Sequence, residues 1–149
     1  MRIKRNVAVA GAFTALAVGA TTMLATTASA APNVTPQSVC GSAYKTVNSA
    51  PISSLGTVYL TYNSSNGKNC VATIRTNPGK AKDMGTYVYV PDTDEWAGDS
   101  GRYTSYAGPG YVYGKGHCVS WGGNIDNVYV SVDNSNCASL KEHRVTEVR

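Results

Sequence analysis

Residues 57–76, TVYLTYNSSNGKNCVATIRT, hold two runs rich in Val, Thr, Tyr and Ile on either side of Asn63-Ser64-Ser65-Asn66-Gly67-Lys68. β-Branched and aromatic residues suit a pleated, half-buried surface, and Asn-Gly between two such runs signals a hairpin. Strand parity bears on the turn. A two-residue Asn66-Gly67 turn would set Leu60 opposite Thr73 and Val58 opposite Arg75, mixing apolar and polar residues on one face. A three-residue loop, Ser65-Asn66-Gly67 with Gly67 at positive φ, sets Val58 opposite Ile74, Leu60 opposite Ala72 and Tyr62 opposite Cys70. That register makes one face continuously apolar and turns Cys70 inward, so a disulfide from Cys70 is expected to run through or beside the core.

The same period of two recurs at 86–90 (TYVYV), 111–113, 117–121 and 127–132 (NVYVSV), each bounded by Gly, Asn, Asp or Pro. No window shows a helical stripe. The predicted fold is a single all-β domain over residues 39–137, a small antiparallel β-sandwich or flattened barrel of roughly seven or eight strands. Helix should be nearly absent after residue 30. Residues 31–38 (APNVTPQS) read as a flexible lead-in. Residues 138–149, with Lys141, Glu142, His143, Arg144, Glu147 and Arg149, read as a charged, solvated tail.

Residues 1–30 have the three parts of a secretory signal peptide. Arg2, Lys4 and Arg5 precede an uncharged run at 7–24, and Ala28-Ser29-Ala30 offers small residues for cleavage. An apolar run of this length could also anchor a chain in a bilayer. Its dilution with Thr, Gly and Ala, and the cleavage site directly after it, favour a signal helix that is removed, with no membrane association afterwards. The full chain has 13 Lys and Arg against 9 Asp and Glu, a net charge of +4. Three of those bases lie in the leader, which leaves the remainder at +1, and no basic stripe with interleaved aromatics is present. Nucleic acid is therefore not an expected partner.

Four cysteines, Cys40, Cys70, Cys118 and Cys137, follow the leader. An even number in an exported chain implies two disulfides. No Cys-x-x-Cys and no zinc-type His pair occurs, so no metal site is expected. Of the three possible pairings, Cys40 with Cys70 and Cys118 with Cys137 is the expected one, since each closes a local loop across neighbouring strands.

Ten Tyr and two Trp supply the large side chains, because Phe13 of the leader is the one Phe. Tyr can bury its ring in a sheet face and leave its hydroxyl in water, or it can stack on a ligand. Trp96, Tyr103, Tyr106, Tyr111 and Tyr113, with Asp92 and Asp99 nearby in sequence, form the candidate binding patch.

A catalytic set does not emerge. Gly98-Asp99-Ser100-Gly101 matches the run around the nucleophile of chymotrypsin-like proteases, but that order needs an earlier His as base, and none precedes His117. Asp92, Asp94, Glu95 and Asp99 could ligate calcium only irregularly, since Trp96 stands where the helix–loop–helix pattern needs an oxygen. The same carboxylates could suggest a glycosidase, yet a shallow sheet domain offers little cleft. His117 and His143 read as surface or edge residues, and Gly108-Pro109-Gly110 and Gly114-Lys115-Gly116 as turns. The expectation is a non-enzyme without cofactor.

Four segments are more specific than these motifs: VCGSAYKTVNSAPI (39–52), GTVYLTYNSSNGKNCVATIRT (56–76), YVYVPDTDE (87–95) and GRYTSYAGPGYVYGKGHCVSWGG (101–123). Together they resemble the spore-associated protein A family of filamentous, spore-forming actinobacteria, over about residues 39–130. The anchors are Cys40-Gly41, Asn69-Cys70-Val71, Tyr106-Ala107-Gly108-Pro109 and Cys118-Val119-Ser120-Trp121-Gly122-Gly123. The resemblance implies a small secreted protein of the spore or aerial-filament surface, with no catalytic residues to carry over. It also implies a last Cys near the chain end, in keeping with Cys118–Cys137, whereas the charged extension departs from the family pattern. The expected function is a secreted, non-catalytic protein whose partner is the spore or cell-envelope surface. Two alternatives are a protease inhibitor presenting the loop 92–102 on a rigid frame, and a glycan-binding module using the aromatic patch.

Overall fold

Alternating Val, Leu and Ile with Tyr, Thr and Ser buries one side of a strand and leaves the other to water or to a second layer. The computed structural model, which describes residues 33–137, forms eight such strands. They are β1 (Lys45–Ile52), β2 (Gly56–Asn63), β3 (Lys68–Arg75), β4 (Lys82–Val90), β5 (Glu95–Tyr103), β6 (Tyr106–Tyr113), β7 (Val119–Ile125) and β8 (Val128–Ser135). All neighbours pair antiparallel, in a first sheet ordered β1-β2-β3-β6 and a second ordered β5-β4-β7-β8. The two sheets make the expected sandwich, and both expected disulfides, Cys40–Cys70 and Cys118–Cys137, are formed. The segment 1–30 expected to be a signal peptide, the first residues of the expected lead-in and the expected charged tail at 138–149, His143 included, lie outside the described residues. No helix among the described residues is long and apolar enough to cross a membrane.

The decisive hairpin turns one residue differently from the expectation. Ser64 to Gly67 form a four-residue loop, so Leu60 faces Val71, Val58 faces Thr73, Thr61 faces Cys70 and Tyr62 faces Asn69. Gly67 does take positive φ, at 73°. The loop is closed by the Gly67 amide on the Asn63 carbonyl (2.9 Å), and the Asn63 and Asn66 side chains accept from the amides of Ser65 and Lys68. A slip of one residue reverses the faces of β3. Cys70, Ala72 and Ile74, which looked like the core row, lie on the outer face of the first sheet. Thr73 takes a core position instead, tolerated because its hydroxyl donates to the Gly85 carbonyl of β4 at 2.9 Å.

A second layer explains why an apolar row can face away from the core. Residues 35–38, expected to be loose, begin a short helix, α1 (Pro36–Cys40). Thr35 caps it: its hydroxyl accepts from the Ser38 amide at 3.1 Å, the Ser38 hydroxyl returns to the Thr35 amide at 2.9 Å, and Pro36 opens the first turn. Cys40 and Tyr44 then pack on Cys70, Ala72 and Ile74 as a small satellite core. The Cys70 disulfide staples this layer and does not pass through the main core.

The main core lies between the sheets. Val58, Leu60, Val71, Ala107 and Val112 meet Met84, Val88, Val90, Val119, Trp121 and Ile125, with Trp121 the largest fully buried side chain. Every buried side-chain nitrogen or oxygen among the described residues has a partner. Two strands were not expected. β1 carries Asn48, Ser49 and Pro51 and a register shift between Thr46 and Asn48, and it tolerates them as the edge of its sheet. β5 runs through the glycine- and acid-rich EWAGDSGRY and pairs with β4 from Glu95 to Tyr103. Most of the loop foreseen at 92–102 is therefore strand, which removes the rigid exposed loop that the inhibitor reading needs. Gly108-Pro109-Gly110 likewise lies inside β6 and is not a turn.

Candidate functional site

Parity in β4 and β5 decides which aromatic side chains share a surface. Met84, Val88 and Val90 enter the core, so Tyr87 and Tyr89 point outward, and so do Trp96 and Gly98, which lie opposite Tyr89 and Tyr87 on β5. The same outer face receives Gly122 and Asn124 from β7 and Tyr129 and Ser131 from β8. Trp96, Tyr87, Tyr129, Ser100, Asn124 and Ser131 line a shallow groove of about 620 Å3 across this sheet. Trp96 is 64% exposed and Tyr129 is 72% exposed.

Two of these rings pack against glycines. A methyl group placed on Gly98 would come within 2.8 Å of the Trp96 indole, and one on Gly122 within 2.7 Å of the Tyr87 ring. Both side chains thus occupy space that only glycine leaves free. The Asn124 amide nitrogen donates to the Asp126 carbonyl at 3.2 Å, which fixes this amide beside Gly85. Burial, followed by the nearby Asp133 carboxylate, holds the Tyr87 hydroxyl above its ordinary pKa, against a lowering from Ser131.

The residues of the expected patch are divided. Trp96 belongs to this outer face of the second sheet. Tyr106, Tyr111 and Tyr113 stand on β6 in the first sheet, opposite Ile74, Cys70 and Lys68. Tyr111 is tied there, with its hydroxyl donating to the Cys40 carbonyl at 2.9 Å and its ring 5.4 Å from that of Tyr44. Asp92, in the β4–β5 turn, contacts His117 Nδ1 at 3.0 Å. Asp94 accepts from the Tyr89 hydroxyl, and Glu95 from the Tyr113 amide. The acidic residues therefore diverge, and among the described residues no group of three or more His, Cys, Asp or Glu is placed to hold a metal ion.

Asp99, Tyr103 and Tyr106 do come together, in a cleft where β5 of one sheet meets β6 of the other. The Asp99 carboxylate accepts from the Tyr103 hydroxyl and from the Gly108 amide, each at 2.7 Å, and so joins the sheets. The hydrogen bond to Asp99 raises the Tyr103 pKa above the tyrosine norm, with further contributions from desolvation and the carboxylate charge. A raised folded pKa gives stability that is complete below about pH 10, where the unfolded tyrosine ionises, and is lost as pH climbs through the folded value. Asp99→Ala will cost about 1–3 kcal/mol in urea unfolding. It will also return the tyrosinate absorbance titration of Tyr103 toward the ordinary range.

Tyr87, Tyr129, Asn124 and Ser131 were missed in the sequence. Alternation in TYVYV and NVYVSV carried part of the signal, since it places Tyr87 with Tyr89 and Tyr129 with Ser131. That these two rows share one face follows from the order β5-β4-β7-β8.

Two four-stranded antiparallel sheets, two disulfides and an exposed aromatic face define a small disulfide-braced β-sandwich domain. Over 102 residues the chain is 53% identical to Spore-associated protein A of Streptomyces coelicolor, an alignment that covers 68% of this chain and 66% of that protein. The chain belongs to the spore-associated protein A family. It spans about two thirds of that relative's length. Neither a family model nor a solved structure matches it.

Proposed function

We propose that this chain is a secreted, non-catalytic protein of the spore or cell-envelope surface. The observation that carries the reading is the 53% identity to a protein named for its association with spores. The order of charged, apolar and small residues at 1–30 supports export, and two disulfides suit an oxidising compartment. The non-catalytic part is supported by the engagement of the acidic groups: Asp99 holds β6, Asp92 meets His117, and Asp94 and Glu95 each serve a neighbouring strand. These are structural uses of carboxylates, without the paired, poised geometry of acid–base chemistry.

Fractionation of a sporulating culture tests the reading. The protein is expected in the medium and in a detergent wash of intact spores, with a mature N-terminus at about Ala31. Recovery in the cytoplasm alone, with the leader intact, would refute it.

A further inference from the structure

We propose that the outer face of the second sheet, β5-β4-β7-β8, is a binding site for a neutral, extended polysaccharide chain, with Trp96 and Tyr129 as its two stacking platforms. Among the large apolar and aromatic side chains that the described residues expose, these two are the most exposed, and both line the same groove. Burying such rings against a ligand is favourable. Their flat, electron-rich faces suit the C–H face of a pyranose ring, and the hydroxyl rim of the sugar needs hydrogen-bonding groups beside them.

The groove supplies both. The Trp96 indole packs beside Gly98 and the Tyr87 ring beside Gly122, at positions where even a methyl group would collide with them. Ser100, Asn124 and Ser131 line the same groove and bring hydroxyl and amide groups to it.

Charge selects the kind of polymer. No Lys or Arg lines the groove, Asp99 is already engaged by Tyr103 and Gly108, and the Asp133 carboxylate near the Tyr87 hydroxyl adds only negative charge. Polyanions find no cation there, and a neutral polyol loses no ion pairing by entering.

Size selects a chain over a single sugar. Trp96 on β5 and Tyr129 on β8 stand three strand intervals apart and four residues out of line, since Tyr129 shares its row with Asn124, Gly85 and Ser100, so their backbones lie roughly 20 Å apart on the diagonal. One monosaccharide does not reach both. An open groove that crosses four strands fits an extended, ribbon-like chain better than a helical one.

This inference rests on the surface reading for its biological setting, but it is tested on the purified oxidised protein. The assay measures retention on microcrystalline cellulose and on chitin, with starch granules as the helical contrast. Binding to cellulose or chitin is expected, weakened about tenfold or more in Trp96→Ala and in Tyr129→Ala. Tyr106→Ala, on the other sheet, should bind as the parent does. Trp96→Phe, which keeps a ring on Gly98, should retain most of the binding and so separates stacking from a folding defect. The two Trp residues add a direct readout, because Trp121 is fully buried and Trp96 is exposed. Soluble oligosaccharides of the bound polymer should shift the Trp96 emission to the blue and leave that of Trp121 in place. No retention on either ribbon polymer, retention on starch alone, or undiminished retention of Trp96→Ala would overturn the proposal. A protein that fails these assays yet washes from intact spores refutes this site and leaves the surface reading standing. A protein that binds but is found only in the cytoplasm does the reverse.

Discussion

Replacing Cys40 and Cys70 together by alanine will destabilise the domain by about 3–4 kcal/mol, seen as a lower denaturant midpoint. The pair is separated by 30 residues, and cross-linking a loop of that length removes much of the freedom of the unfolded chain. The native state loses something more. α1 is five residues long and could not persist by itself, so its place on the first sheet depends on the buried contacts of Cys40 and Tyr44 and on this covalent link. Amides at 35–44 should therefore exchange far faster in the double variant, while those of β4 and β7 around Trp121 change only with global stability. Uniform loss of protection across both regions, with no excess at α1, would contradict the two-layer account.

Trp121→Ala should cost about 3–5 kcal/mol, the range for removing a fully buried large aromatic. The indole stands at the centre of β7, opposite Val88 of β4 and Val132 of β8, and fills the space facing the first sheet. Its ring nitrogen donates to the Ser135 hydroxyl at 2.8 Å, which itself donates to the Val119 carbonyl at 3.2 Å. The substitution thus opens a cavity and loosens the end of β8. Small domains hold only about 5–15 kcal/mol in total, so the variant should sit close to the edge of folding. Trp121→Phe keeps most of the ring and loses the hydrogen bond, and should fall between the two. Urea midpoints that rank Phe with Ala would show that the hydrogen bond, not the volume, dominates.

Several features were legible in the sequence. Val, Thr and Tyr alternation marked the strands with strong β-formers, and Asn66-Gly67 marked the β2–β3 hairpin with its positive-φ glycine. The cysteine pairing was also readable, because each bridge closes a short loop between neighbouring segments. β1 and β5 were not. KTVNSAPI and EWAGDSGRY hold Asn, Ser, Pro, Gly and Asp at positions where propensity disfavours strand. Their partners β2 and β4 supply the pairing that overrides it.

The β2–β3 hairpin shows where local pattern ends. Residues 57–76 determined by themselves that two strands turn back on each other near Gly67, because β-propensity and turn chemistry are local properties. They did not determine which side of β3 faces the core. Nearly every residue of β3 is buried, one face by the opposing sheet and the other by α1, so apolar alternation could not choose between registers. Tertiary structure decided it, through the Thr73 hydroxyl on Gly85 and the bridge from Cys70 to Cys40. The aromatic surface follows the same rule. Proximity in sequence suggested Trp96 with Tyr103, Tyr106, Tyr111 and Tyr113, but the chain changes sheets between β5 and β6. Trp96 therefore shares its face with Tyr87 and Tyr129, because strand order is set by non-local pairing that a period of two does not encode.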